Sequence, residues 1–274
     1  MALVLALLNC SREPGTLSFA DWGKGRIIRE LDAQISALGL GTHTGSLDVQ
    51  RDPAYASGVL AMSGGATAVG GTIGGKLVTA TWATSDANSC DLVAAAILAD
   101  TTANKFVTAV SRAATGTITI SGGSGVVTAT LSAPAAAVSQ QSQAQGNLYS
   151  LTWATSDAVT ATALAALINA DGDGPCIAVA SAGVVTLYAR PDGKTGAANT
   201  DGNLIALAVT GTGVTKSGAV LSGGGTNANV VVQALLPGTV GLGITLAASG
   251  TGVTAPTGAN LVAGVGAPGN SFTC

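Results

Sequence analysis

Between residues 76 and 189, apolar and polar positions fall into short runs of two kinds. The run 76–82 is rich in Val, Thr and Trp and suits a half-buried strand. Ser85-Asp86 and Ser156-Asp157 then supply short side-chain acceptors of the kind that open helices. Behind them, 91–99 and 160–170 are Ala-rich, with apolar positions at helical spacing. Asp171-Gly172-Asp173-Gly174-Pro175 stops the second helix. Strands resume at 106–110, 117–120 and 126–131, and again at 177–180 and 184–189, with Gly116 and Ala182-Gly183 reading as hairpin turns. Nearer the start, Ile28, Leu31, Ile35 and Leu38 form one apolar stripe on a helix over about 21–38, opened by Asp21 and closed by Gly39. That helix either lies on the first β-rich module or anchors the chain to a neighbouring subunit.

Repetition organises the rest. Thr81-Trp82-Ala83-Thr84-Ser85-Asp86-Ala87 recurs word for word as Thr152-Trp153-Ala154-Thr155-Ser156-Asp157-Ala158. Gly211-Thr212-Gly213-Val214-Thr215 returns as Gly250-Thr251-Gly252-Val253-Thr254. The fold class expected is α+β, mainly β, with two or more repeated strand-helix-hairpin modules and an N-terminal strand/helix anchor. Four segments are expected: an anchor over 1–57, a first β-rich module over 58–133, a linker and second module over 134–226, and a C-terminal partial repeat over 227–274. The linker is the uncharged stretch 134–145, and a further loop spans 191–202.

Composition narrows the function. The 274 residues are 47% hydrophobic, yet only 3% aromatic and 9% charged, against about 25% charge in an ordinary globular chain. So few charges protect a lone monomer poorly against self-association. A surface covered by other subunits follows, or else a neutral, well-hydrated Thr/Ser/Gly exterior. Eleven Lys and Arg scattered along a chain of net charge -3 provide no basic field, so nucleic acid is excluded as a direct partner. No apolar run reaches the roughly 20 residues of a membrane span. The apolar opening 1–8 lacks a basic leader, and Asn9 fits a lipoprotein cleavage site before Cys10 poorly. It reads as a strand that docks on a neighbour.

Candidate chemistry is sparse. Cys10, Cys90, Cys176 and Cys274 are too widely spaced for a zinc ribbon or a CxxC site. Cys10 and Cys274 are candidates for an intersubunit disulfide, with free thiols, two of them buried, as the alternative. The single histidine, His43, sits in a Gly/Thr turn without a nucleophile nearby in sequence. Gly64-Gly65, Gly70-Gly71 and Gly223-Gly224-Gly225 lack the Lys-Ser/Thr of a phosphate loop and read as turns. Asp171-Gly172-Asp173-Gly174 lacks the closing Glu of a calcium loop. Trp82 and Trp153, at matched positions, read as core residues against the Ala-rich helices. No enzyme activity, cofactor or metal is expected.

Leu164-Ala165-Ala166-Leu167-Ile168-Asn169-Ala170, Ile177-Ala178-Val179-Ala180, Val184-Val185-Thr186-Leu187, Gly202-Asn203-Leu204-Ile205 and Leu221-Ser222-Gly223-Gly224 together resemble the small β-α-β modules of tailed-phage virion proteins. Such modules occur as added domains of tail sheaths and as particle-surface proteins. The resemblance spans roughly residue 58 to the C-terminus. It implies a virion structural protein, a capsid decoration (cement) or head-fibre protein, that forms a homotrimer or higher symmetric assembly and contacts the major capsid or other virion proteins. The alternatives are a tail component (sheath, tube or neck) and a receptor- or glycan-binding adhesin.

Overall fold

The computed structural model describes residues 16–17, 55–133, 147–171, 174–191, 201–264 and 272–273. The expected anchor helix with Ile28, Leu31, Ile35 and Leu38 lies outside them, as do Cys10, His43, Cys274, the linker 134–145 and most of the loop 191–202. The chain divides into two compact units, one made of 1–52 with 267–274 and the other of 53–266. In the first, β1 (Thr16–Leu17) pairs antiparallel with β12 (Phe272–Thr273).

The second unit is mainly β. In chain order it contains β2 (Tyr55–Ile73), β3 (Lys76–Thr81), α1 (Asp86–Ala99), β4 (Val107–Ser111), β5 (Thr115–Ser132), β6 (Asn147–Thr152), α2 (Asp157–Asn169), β7 (Cys176–Ser181), β8 (Val184–Ala189), β9 (Ala206–Lys216), β10 (Asn229–Pro237) and β11 (Leu246–Thr254). They form two five-stranded antiparallel sheets, β11-β2-β10-β4 with β3 on β2, and β6-β5-β8-β7 with β9 on β5.

Each sheet is organised by one long strand that changes partner midway. Along one edge, β2 pairs with β10 up to Ala61 and then with β3 from Ala68 onward, while β11 follows its other edge. β5 does the same with β8, β6 and β9. The handover falls at glycines in the left-handed region, Gly64 (φ 68°) and Gly122 (φ 65°), where a side chain would be strained. The registers correspond: Gly58 faces Val232 as Gly116 faces Leu187, and Val253 faces Met62 as Val214 faces Ile120.

Side-chain alternation sets the layers. Leu60, Met62, Val230 and Val232 face a core filled from α1 by Cys90, Val93, Ala94 and Ile97. In the second sheet, Ile118, Val127, Val185 and Leu187 meet Ala161, Leu164, Ala165 and Ile168 of α2. The opposite faces of the two sheets meet through Val59, Val231, Ala113, Ile177 and Tyr188. The order is therefore helix, sheet, sheet, helix. Each fully buried aliphatic side chain contributes about 1.5–3 kcal/mol.

Several expectations need correction. The runs 117–120 and 126–131 are one strand, β5, and Gly116 lies inside it with no turn there. Gly64-Gly65 and Gly70-Gly71 likewise lie within β2. The boundaries at 133 and 226 do not follow the pairing: β5 belongs with the sheet of 147–216, and the 227–274 segment supplies β10 and β11 to the first sheet. Chain order misleads here because β4 finds its antiparallel partner in β10, far along the chain.

Candidate functional site

The repeated heptapeptides converge on the two strand bends. At each bend the long strand has left one partner and not yet met the next, so two consecutive amides need another acceptor. Asp86 provides it: its Oδ2 accepts from the Gly64 amide at 2.8 Å, and its Oδ1 accepts from the Gly65 amide at 2.9 Å and the Trp82 indole at 3.0 Å. Asp157 repeats the pattern, accepting from the Gly122 and Gly123 amides at 2.8 and 3.0 Å and from the Trp153 indole at 2.8 Å. The indole hydrogen bonds first, and the glycine amides after them, hold both carboxyls below the ordinary Asp range.

Neighbouring residues fix those carboxylates. Ser85 and Ser156 cap the helices, accepting from the Asn88 and Val159 amides. The Ser89 and Thr160 hydroxyls each donate to the cap carbonyl and accept from the backbone of Ala83 and Ala154 respectively. The Trp rings lie so close over the bend that a Cβ on Gly65 or Gly123 would stand 2.6 or 2.5 Å from Cδ1. Each carboxylate is held by three donors, and Trp82 and Trp153 pack against the cores. The arrangement locks a helix start to a strand bend and leaves neither Asp poised for proton transfer.

The second repeat closes the same bends from the other edge. Gly252 and Gly213, both at φ 71°, come so near the backbone of Ser63 and Ser121 that a Cβ would lie 2.3 Å from the carbonyl oxygen. Sequence reasoning missed the third member of this constellation, Ser63-Gly64-Gly65 and Ser121-Gly122-Gly123. Its recurrence was the available signal.

Two further polar clusters are built from single residues. Arg112 (φ 55°) forms a two-pronged ion pair with Asp91 and donates to Asn88 Oδ1 and the Gly225 carbonyl. Beside it, Asn229 accepts from the Ala113 amide at 2.8 Å and donates to the Ala113 carbonyl at 3.0 Å. Elsewhere, Asp171 accepts from the Tyr149 hydroxyl at 2.9 Å and from Asn147 at 2.7 Å, and burial pushes the Tyr149 phenol up. Buried Arg190 donates to the carbonyls of Cys176, Tyr55 and Asp171. Cys90 and Cys176 are free and buried, and burial pushes both thiols up to about 12, which makes them poor nucleophiles.

The outer helical faces have a different character. On α2, Ala158, Val159, Thr162, Ala163, Ala166 and Leu167 are exposed, and none is charged. Val159 is 48% and Leu167 41% exposed. On α1, Leu92, Ala95 and Ala99 point outward. Among the described residues, no grouping of three or more His, Cys, Asp or Glu is placed to hold a metal, and no helix is long and apolar enough to cross a membrane. No protein-family model matches the chain, and a search of curated proteins returns no match.

Proposed function

We propose that this chain is a non-enzymatic structural component of a tailed-phage particle. In this reading it is a capsid decoration or head-fibre protein built of repeated strand-helix-hairpin modules, and it works through association with copies of itself and with capsid proteins. The observation that carries the reading is the uncharged outer face of α2. A surface helix in a dispersed protein ordinarily carries several charged residues on its outer side, whereas this one carries none: alanines, Val159 and Leu167, with Thr162 the one polar side chain among the six. Small residues let another helix or sheet approach closely, and burying the face removes its apolar area from water. The saturated hydrogen bonding of Asp86 and Asp157 supports a structural role for the repeated words.

The test is native mass together with negative-stain imaging of the purified full-length chain. Discrete trimers or larger closed oligomers are expected, and the paired changes Ala163→Glu and Leu167→Glu should dissociate them while leaving the circular dichroism unchanged. Tubes or stacked rings would assign the protein to the tail. A wild-type chain that stays monomeric at concentrations of tens of micromolar would overturn the proposal.

A further inference from the structure

We infer that residues 114–227 are a second copy of the fold made by the residues on either side of them, spliced into one tight turn, and that each copy unfolds as its own cooperative unit. The strand registers carry the first half of the inference. Beyond the pairs already given, Ala109 faces Val232 as Ala178 faces Leu187, and Gly70 faces Thr79 as Thr128 faces Ser150. Even the isolated bridges match, Ser57 with Val262 and Thr115 with Ser222. The Ser-Gly-Gly, Trp-Ala-Thr-Ser-Asp and Gly-Thr-Gly-Val-Thr words occupy the same places in both sheets.

The point of insertion can be read from the turn. In the second sheet, β7 and β8 are joined by Ala182 (φ 47°) and Gly183 (φ 87°), and the Ile120 amide donates to the Gly183 carbonyl. In the first sheet the corresponding strands are β4 and β10. There the Arg112 amide donates to the Asn229 carbonyl and the Met62 amide to the Ala228 carbonyl. Ala113 and Ala228 thus stand where Ala182 and Gly183 stand, and everything between them is insert. This explains why the last repeated word of the insert (211–215) precedes that of the host (250–254).

The two cores argue for separate cooperativity. Each has its own helix and long strand, and among the described residues the faces that meet between the sheets share one small apolar cluster, with a few hydrogen bonds such as Arg190 to the Tyr55 carbonyl and Arg112 to the Gly225 carbonyl beside it. Sub-global opening follows such contiguous packing units.

Hydrogen exchange of the intact chain, resolved by peptide, is the test. Ile97→Ala weakens the host core, and exchange should rise about tenfold or more in 55–111 and 229–262 together while 115–216 changes little. Leu164→Ala should do the reverse. If either variant fails to fold, Ile97→Val and Ile168→Val give the same contrast with smaller changes. The inference is overturned if both variants accelerate exchange equally throughout 55–262, or if 229–262 follows 147–216 in place of 55–111.

Discussion

Asp86 and Asp157 show how much one side chain does when the backbone around it lacks partners. Their carboxyls are held below the Asp range by the indole and amide donors, whereas in the unfolded chain they titrate near about 3.9. Because the folded value is the lower one, the stability they lend is complete above the unfolded value and drains as pH falls through the folded value. The urea midpoint should therefore fall between about pH 5 and about pH 2, and the double variant Asp86→Asn, Asp157→Asn should fall less steeply, read by Trp fluorescence. Gly123→Ala should cost about 1–3 kcal/mol by forcing Trp153 aside. At Gly125, where a Cβ meets no atom within 4 Å, the change to Ala should cost only about 1 kcal/mol of backbone strain. Urea unfolding of the two variants distinguishes them. At this scale the caps Ser85 and Ser156 were legible from sequence, because acceptor chemistry directly before an Ala-rich run has few other uses. The glycine pairs were not: a glycine string signals an unusual φ, and a bulge within a strand needs that as much as a reversal of direction does.

Elements inherit these constraints. β2 and β5 can serve two partners along one edge only because each bends where its helix start is clamped. The helices were readable from their period and caps, but β5 read as two strands because Ser121-Gly122-Gly123-Ser124-Gly125 has the composition of a loop. α2 also manages a sheet edge. Asn169 in its last turn donates to the Ala178 carbonyl and accepts from the Ala178 amide, both at 2.8 Å, which occupies groups on β7 that would otherwise template another strand. The matching position of α1 is Leu98, whose side chain has no such capacity. Asn169→Ala should lower stability by about 1–3 kcal/mol and speed exchange of the Ala178 amide, both measurable on the intact protein.

At the scale of the molecule, the β-rich α+β class was legible in alternating patterns and turn residues, whereas the topology was not. Nothing in local composition tells β4 that its partner β10 lies beyond an entire second sheet, because pairing is decided by which edge remains open after collapse. The junction that makes this workable rests on Asn229, which is 3% exposed and bonded twice to the Ala113 backbone. Asn229→Ala takes the acceptor from the buried Ala113 amide, while the Ala113 carbonyl keeps its bond from Asn227 at 2.9 Å, and should cost about 1–3 kcal/mol in urea unfolding. Ser57 and Val262 exchange backbone hydrogen bonds of 2.8 Å in both directions, so the two ends of the described part of the 53–266 unit lie side by side. A part whose two leads emerge side by side can be transplanted like a plug: grafted into a tight turn of an unrelated scaffold, it needs no long tether across its own body.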